Sequence, residues 1–250
     1  MDAWKYIEEN ENIILWSVIG LVWLVAIIFL LVVVIRLTRR NRDRKLLKSV
    51  TSLKRGTKSE RHLVLQLLKY GIPAQTIFHD LCVEKKKGEF SQIDIVVATT
   101  EGILVFEVKD FSGWIFGNGN HSHWTKVLAY GKEKYRFYNP IKQNKSHIET
   151  LKKQVKQFES IPFFSIIVFY GDCELKEINF VPEGTFLVRL PRIFDVLRLI
   201  KKNNKAAPYY NKREIIEILK QAVLKGGSLS IQEKHIKNIN NMLGKDRIFN

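Results

Sequence analysis

An uncharged apolar segment, residues 13–35 with the sequence IILWSVIGLVWLVAIIFLLVVVI, constrains this chain more than any other feature. As an α-helix the segment would extend about 34 Å, which is enough to cross the apolar core of a bilayer. A secretory signal would have a basic leader and a small-residue cleavage site, whereas the residues before this segment are acidic. A buried core helix is the alternative, although core helices seldom run uncharged over such a length. The segment therefore predicts one transmembrane helix that is retained as an anchor.

The charges on the two sides of this helix predict its orientation. Acidic residues dominate residues 1–12, whereas arginine and lysine dominate residues 36–48. Because lysine and arginine beside a membrane helix favour the cytoplasmic side, residues 1–12 would form a short extracytoplasmic N-terminus. The same basic residues would attract anionic lipid headgroups. The sequence thus predicts a single-pass protein of the cell membrane whose main domain is cytoplasmic.

The chain beyond the apolar segment is predicted to have three parts. These are a basic juxtamembrane linker over residues 36–55, a folded domain over residues 56–170, and a C-terminal strand and helical extension over residues 171–250. The formal net charge of +16 indicates a polyanionic partner, either nucleic acid or an anionic membrane surface. Cys82 and Cys173 provide no disulfide framework and no paired metal-ligand spacing, which suits a reducing compartment.

Hydrophobic periodicity in the folded domain predicts an α/β fold with the order helix, three strands, helix, strand. The predicted segments are Lys58–Gly71, Thr76–Val83, Ile93–Ala98, Ile103–Lys109, a helix starting after Pro140, and Phe163–Tyr170. A further strand is predicted at Lys134–Tyr138. The C-terminal extension is predicted to contain a strand, Phe186–Leu190, and three helices, Ile193–Ile200, Lys212–Leu224 and Ile231–Leu243.

Two carboxylates lie within strands that are predicted to be buried, where an unpaired charge is costly. If the sequence TTEG forms a four-residue hairpin loop, Ala98 pairs with Ile103, and Asp94 falls directly opposite Glu107. Directly opposed side chains have Cβ atoms about 5 Å apart, and like charges there destabilise a sheet. A divalent cation between the carboxylates would reverse that effect. Mg²⁺, or Mn²⁺, suits such a site because it takes few protein carboxylates and keeps waters or phosphate oxygens as its other ligands.

Lys109 lies two residues after Glu107, on the same strand face and about 6.6 Å along the strand. From there it could orient the attacking water or balance charge that develops on a phosphate beside the metal. A strand-end lysine that points to solvent is the alternative. The combination of Asp94, Glu107 and Lys109 favours the catalytic interpretation.

These residues carry a resemblance to a known family. Asp94 followed by Glu107-Val108-Lys109, in this order of elements, resembles the PD-(D/E)XK nuclease core, with Ile93 in place of the proline. The segments GTKSERHLVLQLL, QIDIVVATTEGILVFEVKDFSGWIFG, HWTKV and NPIKQNKSHIETLK are similar to the nuclease-related domain. The resemblance implies a restriction-endonuclease-like core of order αβββαβ with a mixed sheet. It also implies that Asp94 and Glu107 are metal ligands and that Lys109 is the catalytic lysine.

The same resemblance adds two residues to the site. It implies that Glu60 is a first-helix acid that contacts the metal or its water, and that Gln143 lies near the phosphate or the lysine. For Glu60 the alternative is a solvated glutamate in the first turn of a helix, where the helix dipole favours negative charge.

Other residues have weaker patterns. His121 and His123 lack a third ligand at a familiar spacing, so they are not expected to bind a metal. Trp114 and Trp124 are expected to pack at the edge of a core instead of stacking on bases. Basic and aromatic residues alternate after Trp124 and into the second predicted helix. They form either a phosphate-tracking surface or a solvated charged face. These residues are Lys126, Tyr130, Lys132, Lys134, Tyr135, Arg136, Phe137, Tyr138, Lys142 and Lys145.

Two functions remain open from the sequence. The first is a membrane-anchored, metal-dependent nuclease that hydrolyses phosphodiester bonds, with DNA favoured over RNA as the substrate. The second is a non-catalytic membrane tether that binds nucleic acid or a protein partner through a nuclease-like fold. A binding protein has no need of two opposed strand carboxylates, which favours the nuclease.

Overall fold

The computed structural model describes residues 2–86, 89–128, 131–154 and 156–227; for residues 2–14 and Lys86 it describes the backbone alone. The chain divides into two compact units, with the boundary after Leu46.

The N-terminal unit is a single helix, α1 (Asp2–Lys48). Most of the large apolar side chains between Leu15 and Leu37 are exposed. This helix is long and apolar enough to cross a membrane, as predicted. The helix continues to Lys48, through most of the segment predicted as a juxtamembrane linker, for which a short helical continuation was one interpretation. The reason is that leucine, arginine and lysine favour helices, and the first glycine after Gly20 is Gly56.

The second unit begins earlier than residue 56. Leu47 is buried within this unit. Thr51 is also buried, and its Oγ1 lies 2.8 Å from Nδ1 of His79. The guanidinium of Arg55 donates a hydrogen bond of 2.9 Å to Asp80 Oδ2. The segment predicted as the end of a linker is therefore part of the folded unit.

Four helices and nine strands are described in the second unit. The helices are α2 (Lys58–Tyr70), α3 (Pro140–Lys152), α4 (Ile193–Asn203) and α5 (Lys212–Gly226). The strands are β1 (Ile77–Lys86), β2 (Glu89–Ala98), β3 (Ile103–Asp110), β4 (Gly113–Asn118), β5 (His123–Leu128), β6 (Glu133–Tyr138), β7 (Phe163–Tyr170), β8 (Cys173–Asn179) and β9 (Thr185–Arg189). The predicted helix Ile231–Leu243 lies outside the described residues.

The main sheet has five strands in the order β1-β2-β3-β7-β9. Strand β2 is antiparallel to both β1 and β3, and β7 and β9 continue the sheet parallel to β3. Ala98 pairs with Ile103, which confirms the predicted hairpin register. The mixed sheet and the order αβββαβ of the core elements agree with the predicted fold class.

The second sheet, in the order β6-β5-β4-β8, was predicted only at β6. Strands β4 and β5 were missed because glycine and asparagine punctuate this region and leave few consecutive β-forming residues. Strand β8 pairs with β4, and β9 pairs with β7. Residues 171–226 therefore complete both sheets instead of forming a separate extension.

Two buried clusters fix α3 across the main sheet. One cluster contains Val105 of β3 together with Leu151 of α3 and Leu219 of α5. The other joins the second sheet to the main sheet, where the ring of Trp124 stacks on Phe169 with centroids 6.5 Å apart. Trp124 is buried, as expected for a residue at the edge of a core. Hydrogen bonds from Lys109 to Gln143 and from Asn144 to the carbonyl of Val105 place the N-terminal half of α3 over the carboxyl end of β3.

Candidate active site

Glu107 and Lys109 lie at the carboxyl end of β3 and form a close ion pair. The distance between Lys109 Nζ and Glu107 Oε1 is 2.6 Å, and the Glu107 side chain is 2% exposed. Residues two apart in a strand project to the same face. The predicted placement of Glu107 and Lys109 on one face of the strand agrees with this ion pair.

Asp94 lies where the pairing between β2 and β3 ends. The last pair is Ile95 with Phe106, so Asp94 is the next residue towards Glu107. Its Oδ2 accepts a hydrogen bond of 2.7 Å from the backbone N–H of Val108. Burial, followed by the negative charges of Glu107 and Glu60, raises the pKa of Asp94 well above its ordinary value. The opposed carboxylates inferred from the register therefore repel each other in the metal-free protein.

Glu107 titrates in the opposite direction. Burial opposes its ionisation, but His147 and Lys109 outweigh burial and hold the pKa of Glu107 below its ordinary value. His147 Nε2 lies 3.2 Å from Glu107 Oε2, although the two atoms are not aligned as a hydrogen bond. Both atoms are buried and have no hydrogen-bond partner among the described residues. The contact is therefore electrostatic, and Glu107 Oε2 remains available as an acceptor.

Gln143 of α3 is brought to Lys109. Lys109 Nζ donates a hydrogen bond of 3.0 Å to Gln143 Oε1, so the lysine bridges Glu107 and the helix. The helix starts at a cap in which the side chain of Asn139 accepts hydrogen bonds from the N–H groups of Ile141 and Lys142. The Asn139 amide also donates to backbone carbonyls of the turn between β4 and β5. This cap fixes the start of α3 and therefore the position of Gln143.

Glu60 of α2 is buried instead of solvated, which excludes the alternative drawn from its sequence position. Glu60 Oε1 accepts a hydrogen bond of 2.7 Å from Thr57 Oγ1, and Oε2 lies 3.2 Å from His79 Nε2. Burial opposes ionisation of Glu60, but His79 and Thr57 outweigh it and lower the pKa of Glu60. Its charge contributes to the raised pKa of Asp94. Both carboxylate oxygens of Glu60 are thus engaged within the protein.

The sequence of this domain matches a known family and a bacterial protein. The model of the nuclease-related domain family matches residues 55–170. The chain carries a nuclease-related domain. It is also 30% identical over 125 residues to an uncharacterized protein of Bacillus anthracis. That match covers 50% of this chain and 57% of the relative, so the chain spans little more than half of the relative's length. No solved structure matches this chain.

The nuclease-related domain contains all five residues that the sequence indicated. It extends from Arg55 through β7, whereas β8, β9, α4 and α5 lie beyond it, and β8 and β9 complete its sheets. Glu107, Lys109 and Gln143 are in direct contact, and Asp94 and Glu60 act on the same cluster electrostatically. His121 and His123 are exposed and take no part in this cluster.

Sequence reasoning missed two buried histidines that support the carboxylates of the nuclease-related domain. Ser91 Oγ lies 2.7 Å from Nδ1 of His147, whose other ring nitrogen faces Glu107. His147 follows Gln143 by four residues, so both stand on one face of α3. That spacing is the sequence signal from which His147 could have been found.

The second histidine has the same arrangement. Thr51 Oγ1 lies 2.8 Å from Nδ1 of His79, and Nε2 of His79 faces Glu60. A hydroxyl group thus holds one ring nitrogen while the other nitrogen faces a carboxylate. This orientation is typical of groups that support metal-binding or catalytic carboxylates and histidines. No sequence signal connects Thr51 to His79 because they lie on separate elements.

Two further contacts tie the flanking helices to β3. Ser59 of α2 donates a hydrogen bond to Asp110 Oδ2 at the end of β3. On α3, the Asn144 amide donates to the carbonyl of Val105 at 2.8 Å and to Ser165 Oγ at 2.9 Å. The carboxyl end of β3 is therefore held from two sides.

The donor set at this site suits a hard cation. Among the residues whose side chains are described, no group of three or more His, Cys, Asp or Glu is arranged to hold a metal ion. Asp94 and Glu107 nevertheless offer two adjacent carboxylates, and Glu107 Oε2 is a buried acceptor without a hydrogen-bond partner in the described residues. Mg²⁺ commonly uses one or two protein carboxylates and completes its octahedron with waters and phosphate oxygens. The pair fits Mg²⁺ or Mn²⁺ better than zinc, which favours four protein or water ligands with nitrogen and sulfur among them.

Proposed function

We propose that this protein is a membrane-anchored, metal-dependent nuclease that hydrolyses phosphodiester bonds, with DNA favoured over RNA. The contact of Lys109 Nζ with both Glu107 Oε1 and Gln143 Oε1, beside Asp94, is the observation that carries the proposal. It places one cation and two carboxylates at the exposed end of a buried strand. The nuclease-related domain supports the same reaction class.

Asp94 and Glu107 would hold the cation, which would neutralise phosphate charge and lower the pKa of a bound water. Burial and its two acidic neighbours raise the pKa of Asp94, and a bound cation would oppose this shift by favouring the ionised carboxylate. Glu60 would contact the metal through a water, since both of its oxygens are engaged by Thr57 and His79.

Lys109 and Gln143 would act on the reacting groups. The ammonium of Lys109 is fixed by Glu107 and Gln143, so it can orient a water and balance charge on the phosphate without rearrangement. Attack of the water oxygen forms a new P–O bond, and the bond from phosphorus to the leaving sugar oxygen breaks. The water loses a proton to solvent, and the leaving oxygen takes up a proton.

The helix α1 would anchor this domain at the membrane. The basic residues 36–48 support an orientation in which the domain would lie on the cytoplasmic side and near anionic headgroups. Nucleic acid and the lipid surface would then both be partners of this basic chain.

A non-catalytic tether is the second candidate, and one observation favours it. Lys109 forms an ion pair with one oxygen of Glu107 and His147 contacts the other, as they would in a purely structural cluster. In that case the fold would bind nucleic acid or a protein without cleaving it.

Cleavage assays separate the two candidates. The full chain in detergent micelles is incubated with single- and double-stranded DNA and RNA, with Mg²⁺, with Mn²⁺, or with a chelator. We expect metal-dependent cleavage that is lost in Lys109→Ala and Glu107→Gln and retained in Lys201→Gln/Lys202→Gln, a control on α4 outside the site. Binding without cleavage under every condition would favour the tether.

A further inference from the structure

The second sheet has one side packed on the core and another that faces outward. Ile115 of β4 and Trp124 of β5 are buried in the cluster that also holds Phe169. Residues adjacent in a strand project to opposite faces, so Trp114 and Phe116 project away from this cluster. Both are only half-buried.

Strand pairing extends this outward side across three strands. Trp114 pairs with Val127, which pairs with Lys134. Phe116 pairs with Thr125, which pairs with Arg136. Paired residues share a face of the sheet. Two residues further along β6, Tyr138 lies on the same face and is 48% exposed.

We call this surface the outer face, defined by Trp114, Phe116, Lys134, Arg136 and Tyr138. Three aromatic residues and two cations thus share this face, with β5 between the two rings on β4 and the two cations on β6. The Trp114 ring already has a cation against it, because Lys176 Nζ lies 5.4 Å from the ring centroid. The structure therefore separates the two tryptophans that were expected to pack alike: Trp124 is buried, whereas Trp114 lies on the outer face.

The charge on this sheet is uneven. Lys134 and Arg136 are exposed on β6, whereas Glu174 and Glu177 are exposed on β8 at the opposite edge. Lys176 forms an ion pair of 2.8 Å with Glu174. A polyanion would therefore be attracted to the β6 side of the outer face and repelled from the β8 edge.

The outer face is attached to the candidate active site by two short connections. Strand β4 begins at Gly113, shortly after Lys109. Strand β6 ends at Tyr138, and the next residue, Asn139, caps the helix that carries Gln143. The strands of this face are therefore close in sequence to Lys109 and to the helix that carries Gln143.

We infer that the outer face binds a single strand of nucleic acid. Unpaired bases expose the flat surfaces that stack on aromatic rings, whereas a duplex hides them, and Lys134 and Arg136 would neutralise phosphates along β6. The inference rests on the proposed function and specifies its substrate as single-stranded. A protein partner would not require this combination of stacking rings and a cationic strand.

The test uses the full chain in detergent micelles with a chelator, so that binding is measured without hydrolysis. Fluorescein-labelled oligothymidine and oligouridine are titrated by fluorescence anisotropy at several salt concentrations, beside a hairpin duplex. Tyr138→Leu removes an exposed ring, and Tyr138→Phe keeps it. Lys134→Gln/Arg136→Gln removes two charges, and Lys201→Gln/Lys202→Gln on α4 removes the same charge elsewhere.

We expect Tyr138→Leu to weaken single-strand binding about tenfold and Tyr138→Phe to retain it. The Lys134→Gln/Arg136→Gln variant should lower the salt slope by about 1.4, since each lost phosphate contact on a single strand contributes about 0.7. The α4 control should leave the slope unchanged, and the duplex should bind more weakly.

Unchanged binding by Tyr138→Leu, equal losses in the two charge variants, or preference for the duplex would each overturn the inference. Because no metal is present, these outcomes are independent of cleavage. A wild type that binds single strands through this face but never cleaves them would contradict only the proposed nuclease.

Discussion

His147 Nε2 lies 3.2 Å from Glu107 Oε2, and this contact joins α3 to the carboxyl end of β3 beneath Lys109. The other ring nitrogen of His147 is held by Ser91 of β2. One buried histidine therefore connects three elements of the nuclease-related domain at the residue proposed to bind the metal.

The contacts of His147 predict energetic coupling. His147→Ala should lower the free energy of unfolding by about 1–3 kcal/mol, because it removes the hydrogen-bond partner of the buried Ser91 hydroxyl and the electrostatic contact with Glu107. Ser91→Ala should cost less, since it removes only one contact. In a double-mutant cycle measured by chemical denaturation, the two effects should not be additive. Additive losses would mean that Ser91 does not position the ring.

The raised pKa of Asp94 predicts a pH dependence of stability in the absence of metal. A carboxyl whose pKa is higher in the folded state binds more protons when folded, so its contribution is full below its ordinary pKa of 3.8 and is lost as pH rises through the raised value. Thermal melts with a chelator should show the wild type losing stability with rising pH relative to Asp94→Asn. If the difference in melting temperature between the two proteins did not change with pH, the pKa of Asp94 would not be raised in the folded protein.

A shared cation predicts stabilisation by mass action. At a metal concentration about 100 times Kd, the folded state should gain about 2.7 kcal/mol. Asp94→Asn and Glu107→Gln should lose most of this gain in thermal melts with Mg²⁺ or Mn²⁺. Lys109→Ala should keep it while losing cleavage, because its proposed role is towards water and phosphate. A wild type that melts identically with and without metal would argue that the carboxylate pair is structural.

Glu60 is predicted to act without direct metal contact. Glu60→Gln keeps the size of the side chain and can still pair with Thr57, so the protein should remain folded. Cleavage should fall while the metal-induced rise in melting temperature persists, since Asp94 and Glu107 are untouched. Loss of the metal effect in this variant would instead identify Glu60 as a direct ligand, as the family resemblance allows.

The charges beside α1 predict a testable orientation. In intact cells, protease added from outside should leave residues beyond 50 uncut, because the basic flank keeps them in the cytoplasm. Permeabilised cells serve as the control, in which the same region becomes accessible. Digestion from outside in intact cells would reverse the assignment.

Local sequence patterns determined the core elements and the register of one hairpin. The TTEG loop sets the pairing of Ala98 with Ile103, and alternation then places Asp94 towards Glu107. Such contacts are close in sequence, so periodicity and turn length suffice to predict them. The apolar run of residues 13–35 was decisive for the same reason, since length and composition alone make it a helix able to span a membrane.

Only the tertiary structure decided which side chains surround these carboxylates. Ser91 and His147 are far apart in sequence, and no pattern along the chain records that their side chains meet. The second sheet was also missed, because β4 and β5 are short and are stabilised by pairing with each other and by burial of Trp124 against Phe169. Helices, hairpins and apolar spans form through neighbouring residues, so the local sequence predicts them. Contacts between distant segments depend on how whole elements pack, and this packing is a property of the complete fold.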